Sequence, residues 1–418
     1  MRVLELTLNI QQDMISINLF CPKGKIRSDF SKMELILSSS SSAFNAKVAQ
    51  NMGKRVIKVL QENGIDCLPN QRFSLDVDMF PQGGSEAFFP NAALFEEPKL
   101  NSGKRLIEDH GASFFRFFLD GAQRSYRVIE ASISGHYLPF CAGQVGVAVL
   151  ERNNNGRFTT VEKLTTVQNV LAIPNLVPED SASDLSEQIN AELCEKHHFK
   201  IIRYDYSSKE DKDPGDLGRA MIIDTMQRLE LQTIRAMIQR NMISDRAMLA
   251  KDGGLQYRHD KIKDLQLSKD DIVQLRNVIG LAKTFEPSLT LGKGRNRQSL
   301  GNITKGLQWR ERTTVIRPPD NKDTTYGWWY LRLRPTDWMY SPLQGIIKIE
   351  VFAMGEEKED GISQSRADTI SSYVLAERNV TPYKTDARWA THIYPIFLTE
   401  TYLRSSFLSH TRFKSLIF

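Results

Sequence analysis

Several chemistries are excluded by what the chain lacks. Its four cysteines, Cys21, Cys67, Cys141 and Cys194, stand far apart with no CxxC pair. That spacing argues against both a zinc site and a disulfide framework, and fits a reducing cytoplasm. No apolar run approaches the roughly 18 residues of a membrane span, so no membrane association is expected. The N-terminus has no signal-peptide apolar region followed by a small-residue cleavage site, so an intracellular protein is expected. No internal repeat is visible. The excess of basic over acidic residues is small, +5 in 418 residues. Affinity for a polyanion must therefore come from local patches rather than a global field.

What remains is an ordinary globular composition, 41% hydrophobic and 25% charged, long enough for a large core. Residues 1–105 read as an N-terminal extension, with a serine run at 38–42 and one helix near 45–63 closed by Gly64. Residues 106–418 read as the main domain.

Its first strong signal is Phe114-Phe115-Arg116-Phe117-Phe118-Leu119-Asp120-Gly121. This is β chemistry, and the terminal Asp-Gly reads as a turn. Strands at 125–134 and 144–152 follow, separated by short connections that favour an antiparallel meander. A helix is expected near 183–196. Asp213-Pro214-Gly215-Asp216 can cap a long helix over 217–240. Beyond it lie a second strand ending on Asp252-Gly253, a helix at 269–276, strands at 277–285, 328–333 and 345–352, and helices at 367–378 and 389–407. Three meandering strands followed by alternating helix and strand predict a mixed α/β sheet of RNase H-like order, flanked by helices. In that order Asp120 and Asp252 stand at neighbouring strand ends.

Two carboxylates that close repel unless a cation lies between them. Mg²⁺ and Mn²⁺ take oxygen ligands, and two such ions can clamp both oxygens of phosphoryl transfer. The long helix offers two candidates for a third carboxylate, Asp224 and Glu230. Six residues apart, they point about 120° away from each other. Glu230 has Met226 and Ile234 one turn either side and so borders the buried stripe. Asp224 has Arg219, Gln227 and Arg228 near it. Glu230 is therefore preferred, against the alternative of a helical ion pair with nearby arginines.

The blocks LDGAQRS (119–125), MLAKDGGL (248–255), VIGLAKTF (278–285), WYLRLRP (329–335) and RWATHIYPIFLTETYL (388–403), in this order, resemble those of NurA-type nucleases. The resemblance covers roughly 110–290 and 325–418. It implies an RNase H-like core related to the PIWI domain and a Mn²⁺- or Mg²⁺-dependent DNA nuclease. It also implies a homodimer that works with the hexameric translocase HerA, in DNA end processing or in defence against phage. Carried over, the family's first Asp is Asp120, with Ala122 where Ser is common. Its helical Glu is Glu230, its second Asp is Asp252, and its late His is His392. Lys283, near a strand end, could neutralise a scissile phosphate or equally be a solvated strand-end lysine. His392 could equally be a hydrogen-bonded structural residue.

A basic insertion at about 286–325 has Glu311 as its one acid between Lys293 and Arg317. Arg295, Arg297, Arg310 and Arg312 are its candidate DNA contacts, the alternative being a merely solvated loop. Trp328, Trp329, Trp338 and Trp389 are expected in the core or an interface rather than as base-stacking platforms. The apolar segment 389–407 is broader than one amphipathic stripe, which suggests that part of it faces a second subunit. The same fold could also serve as a non-catalytic, PIWI-like nucleic-acid-binding scaffold.

Overall fold

The structure is a computed structural model. It describes residues 8–11, 14–17, 56–69, 91–97, 104–108, 111–191, 193–209, 212–257, 262, 264–291, 297–317, 326–378 and 387–417. The chain divides into two compact units, Met1–Asn51 and Met52–Phe418. In the first, Leu8–Gln11 and Met14–Ile17 pair as an antiparallel hairpin. The serine run at 38–42 lies outside the described residues. The expected 45–63 helix is described over 56–62 and is followed by Gly64 at φ +75°.

The second unit is built on one mixed sheet. Its main strands are β1 (Phe115–Ile133), β2 (His136–Arg152), β3 (Thr166–Pro174), β4 (Phe199–Tyr204), β5 (Met248–Asp252), β6 (Val278–Ala282), β7 (Tyr326–Arg332) and β8 (Ile346–Phe352). They lie in the order β4-β3-β2-β1-β5-β6-β8-β7. β1, β2 and β3 are antiparallel neighbours. β5 runs parallel to β1, and β6 parallel to β5. Beyond β7 the sheet continues through Ile316–Arg317, Asn91–Leu94, Thr290–Leu291 and Gln298–Ser299. Residues before 105 therefore contribute strands to the same sheet, and so does the basic segment.

Two sequence readings change. The runs at 114–121 and 125–134 are one 19-residue strand, and Asp120-Gly121 is not a turn. Gly121 keeps extended backbone because β2 pairs with β1 on both sides of it, with Asp120 opposite Ala148 and Gly121 opposite Val147. The real turn is Ser134-Gly135, with φ of 50° and 79°, a two-residue hairpin connection that needs both residues left-handed. The third meander strand is β3, whose alternation is hidden because its second half is buried on both faces. Asp252-Gly253, by contrast, does end its strand. Gly253 adopts φ +80° and donates its N–H to the Leu281 carbonyl at 3.0 Å.

The longer helices on the sheet among the described residues are α1 (Glu179–Asn190), α2 (Pro214–Gln239), α3 (Gln364–Glu377) and α4 (Tyr394–Ser405). α2 begins as the sequence implies, with Asp213 Oδ1 accepting from the Gly215 and Asp216 N–H groups and Pro214 in the first turn. It buries Leu231, Ile234, Met237 and Ile238 against Phe117, Leu119, Val147, Val149 and Leu249. Each such side chain contributes about 1.5–3 kcal/mol by leaving water. The opposite face of the same strands carries Phe118, Leu150, Ala250, Ile279 and Leu281, packed against Ile370 and Val374 of α3 and Ile396 of α4. Side chains alternate along a strand, so each polar residue among these positions is assigned to one of the two faces.

Candidate active site

Asp120 follows Leu119 and so points to the α3/α4 face with Phe118 and Ala122. Ala122 and Ala148 meet Leu403 and Phe407 there. Lys251 is paired with Leu119 in the β1–β5 register, so the next residue, Asp252, lies beside Asp120 on that same face. Lys283 continues the Ile279, Leu281 alternation of β6 onto it as well. Its Nζ lies 3.0 Å from Asp252 Oδ2 and 3.8 Å from Oε2 of Glu400 on α4. Arg404 Nε donates to the other Glu400 oxygen at 3.0 Å.

Asp120 is only 4% exposed. Among the described residues, no hydrogen bond or close ion pair reaches its carboxylate. Burial pushes its pKa well above the usual carboxylate range. Asp252 adds to the shift, as do Glu400 and Glu230, while Lys283 opposes it. Burial works against the Lys283 charge, but Asp252, Glu400 and Asp120 outweigh it and raise the ammonium pKa. The site thus holds an acid-rich pocket with one ammonium inside it.

Glu230 occupies the other face. It sits over Gly121, where a Cβ would overlap its Oε1, so glycine is what lets α2 bring a carboxylate this close to the sheet. Its Oε2 lies 3.2 Å from Lys251 Nζ and accepts from the Tyr257 hydroxyl at 2.9 Å. Burial raises the Glu230 pKa, against the pull of Lys251. Lys251 also donates to the Asp252 carbonyl at 2.7 Å. On the same face Glu350 pairs with Lys348 at 2.8 Å, and accepts from the Leu255 N–H at 2.5 Å and from Gln256 at 2.9 Å. Burial would raise the Glu350 pKa, but Lys348 and these donors hold it below its ordinary value. Asp224 is six residues earlier on α2, points elsewhere and bonds Arg228 at 2.7 Å.

The other expected site residues are dispersed. His392 is buried, with its ring 5.5 Å from that of Phe397 in a stacked pair. Arg312 is fully buried. It bonds Glu96 at 2.9 Å and Asp368 at 2.6 Å, so it ties the strand edge to α3 and cannot reach a phosphate. Arg295 lies outside the described residues. Arg297 is exposed and bonds Thr290 at 2.8 Å. Arg310 bonds the Ile107 carbonyl at 3.0 Å and lies over the Trp309 ring. Trp328 and Trp329 are core residues, and Trp338 is 60% exposed. In α4, Ile396, Thr399 and Leu403 are buried within the chain, and Tyr394 and Tyr402 are exposed.

Sequence reasoning did not single out Glu400. One signal was present: it is the lone acid from Ala387 to Phe407, and an isolated carboxylate in an apolar segment requires a partner.

Among the described residues, no three acidic, histidine or cysteine side chains converge as a ready-made metal cage. Cys67, Cys141 and Cys194 form no disulfide. No helix there is long and apolar enough to cross a membrane. No protein-family model matches the chain, and no curated protein matches it.

Proposed function

We propose that this chain is a metal-dependent deoxyribonuclease of NurA type, built on an RNase H-like core. The strand order supports the fold: three antiparallel strands, then two parallel strands joined to the outer side of the first. One observation carries the function. Asp120 and Asp252 lie side by side on adjacent parallel strands, and the nearly buried Asp120 feels the charges of Asp252, Glu400 and Lys283. One ammonium, Lys283, is too little to balance two adjacent acids. Hard carboxylate oxygens fit Mg²⁺ or Mn²⁺, and Asp120 and Asp252 are the residues that would hold them. Bound there, such an ion supplies charge stabilisation for the scissile phosphate and a more acidic water.

The protein's own groups do the rest. Lys283 Nζ provides a positive donor for a non-bridging phosphate oxygen. The α4 helix roofs the pocket through Leu403 and Phe407 and limits water around Asp120. Arg297 and Arg310 line the route for the DNA backbone, and Trp309, 43% exposed, offers a stacking face. A HerA-type hexameric ATPase and a second copy of the chain are the proposed partners, with the exposed Tyr394 and Tyr402 on the dimer face.

The scaffold alternative rests on Lys283, whose ammonium already partly neutralises Asp252. The test is cleavage of labelled single- and double-stranded DNA by purified protein in Mn²⁺. Cleavage by wild type and none by Asp120→Ala supports the nuclease. DNA binding with no cleavage by either assigns the scaffold.

A further inference from the structure

Lys283 pairs with Asp252 and with Glu400 of helix α4, and feels the charge of Asp120. We infer that Glu400, and not Glu230, is the third carboxylate of the cation site formed with Asp120 and Asp252. The inference rests on the nuclease reading and specifies which residues compose its site.

The two faces of the sheet decide between the candidates. Asp120 and Asp252 both project toward α4. On α4, Ile396, Leu403 and Phe407 form the stripe that packs on the sheet. Glu400 lies one turn from Ile396 and one from Leu403, on that stripe. Leu403 covers Ala148, the register partner of Asp120. Glu400 therefore hangs over the strand position that carries Asp120. Its Oε2 faces the ammonium that also bonds Asp252. Only 16% of its side chain is exposed.

Glu230 is on the far side, with the β1 backbone at Gly121 between it and the pocket. Its charge is already matched by Lys251 and its hydrogen bond by Tyr257. A divalent cation taking Glu230 would have to strip both, leaving the buried Lys251 ammonium with backbone carbonyl acceptors but no counter-charge. At Glu400 the cation would displace only Lys283, a flexible side chain that is about one-fifth exposed. Arg404 would keep the other Glu400 oxygen oriented, as an outer-shell partner does for a metal ligand.

The experiment is calorimetric titration of Mn²⁺ alone into the full-length protein, with thermal unfolding of each variant recorded without metal. Glu400→Gln is expected to weaken Mn²⁺ binding about tenfold or more with no loss of unfolding temperature. The paired variant Glu230→Gln/Lys251→Met removes both buried charges together and is expected to bind Mn²⁺ within about threefold of wild type. It serves in place of Glu230→Gln alone, which can fail to fold. Wild-type affinity in Glu400→Gln overturns the assignment while the metal site stands. Loss of binding in the paired variant, with a normal unfolding transition, returns the role to Glu230. Absence of Mn²⁺ binding by wild type removes the cation site itself, and the assignment with it.

Discussion

The same sheet carries a carboxylate cluster on each face, and the two are wired differently. Toward α2, Glu230 has Lys251 and Tyr257, and Glu350 has Lys348, a backbone N–H and Gln256. Toward α4, Asp120, Asp252 and Glu400 share Lys283, with Arg404 on the outer edge of Glu400. The first cluster is neutralised pair by pair and closes the loop after Asp252. The second has more acids than cations at its centre and leaves Asp120 without a bond. A protein keeps such an arrangement at a cost in stability, and functional sites are where that cost recurs.

The contrast can be broken from either side. The largest effect is expected for Glu230→Ala, which removes the counter-charge of the buried Lys251 ammonium and the acceptor of the Tyr257 hydroxyl. Breaking a buried pair in this way costs about 3–5 kcal/mol, read by urea denaturation. A loss below about 1 kcal/mol would mean that the α2 face is not held by its ion pairs. Gly121→Ala attacks the same cluster through the backbone. The new methyl overlaps Glu230, and overpacking of this kind costs about 1–3 kcal/mol. Wild-type stability in that variant would place Glu230 away from Gly121.

Asp120→Asn should act in the opposite direction. Its folded-state pKa is raised, so the folded protein protonates Asp120 at a higher pH than the unfolded chain does. As pH rises from the ordinary carboxylate range, about 3.9, toward the folded value, the unfolded state binds fewer protons and stability falls. Above the folded value the loss is complete. Asparagine carries no such term. Asp120→Asn without metal is therefore expected to be more stable by about 0.5–2 kcal/mol at neutral pH, with the gain vanishing in acid. A pH-independent difference, or a destabilised variant, would contradict the picture of an unsatisfied acid.

The smallest effects belong to the proposed DNA surface. Neutralising Arg297 or Arg310 should reduce the salt dependence of DNA binding by about one unit of slope per lost contact. Arg312→Gln is expected to leave that slope unchanged and to destabilise the fold, because Arg312 is fully buried between Glu96 and Asp368.

The legible part of the fold is where local chemistry and tertiary context agree. The α2 cap at Asp213, the β5 strand ending on Asp252-Gly253, and the β6 strand were all readable from residue types. Asp120-Gly121 was misread because the dipeptide favours turns, whereas here glycine serves helix approach inside an uninterrupted strand. β3 and β4 were missed. β3 is covered on both faces in its second half and so does not alternate, and the β4 pairing parallel to it is a long-range fact. For the site, Asp252 and Lys283 were visible as strand-end charges. Glu400 was not, because only the packing of α4 on the sheet brings residue 400 to residue 120. The sides taken by Glu230 and Asp120 depend on strand register, which fixes every side chain to one face and is not written in either residue alone.

The most direct test compares DNA cleavage in Mn²⁺ by wild type, Asp252→Asn and the paired variant Glu230→Gln/Lys251→Met, each verified as folded. Wild type and the paired variant are expected to cleave, and Asp252→Asn to be inactive. Cleavage by Asp252→Asn at the wild-type rate would contradict the assignment of the α4 face as the active one.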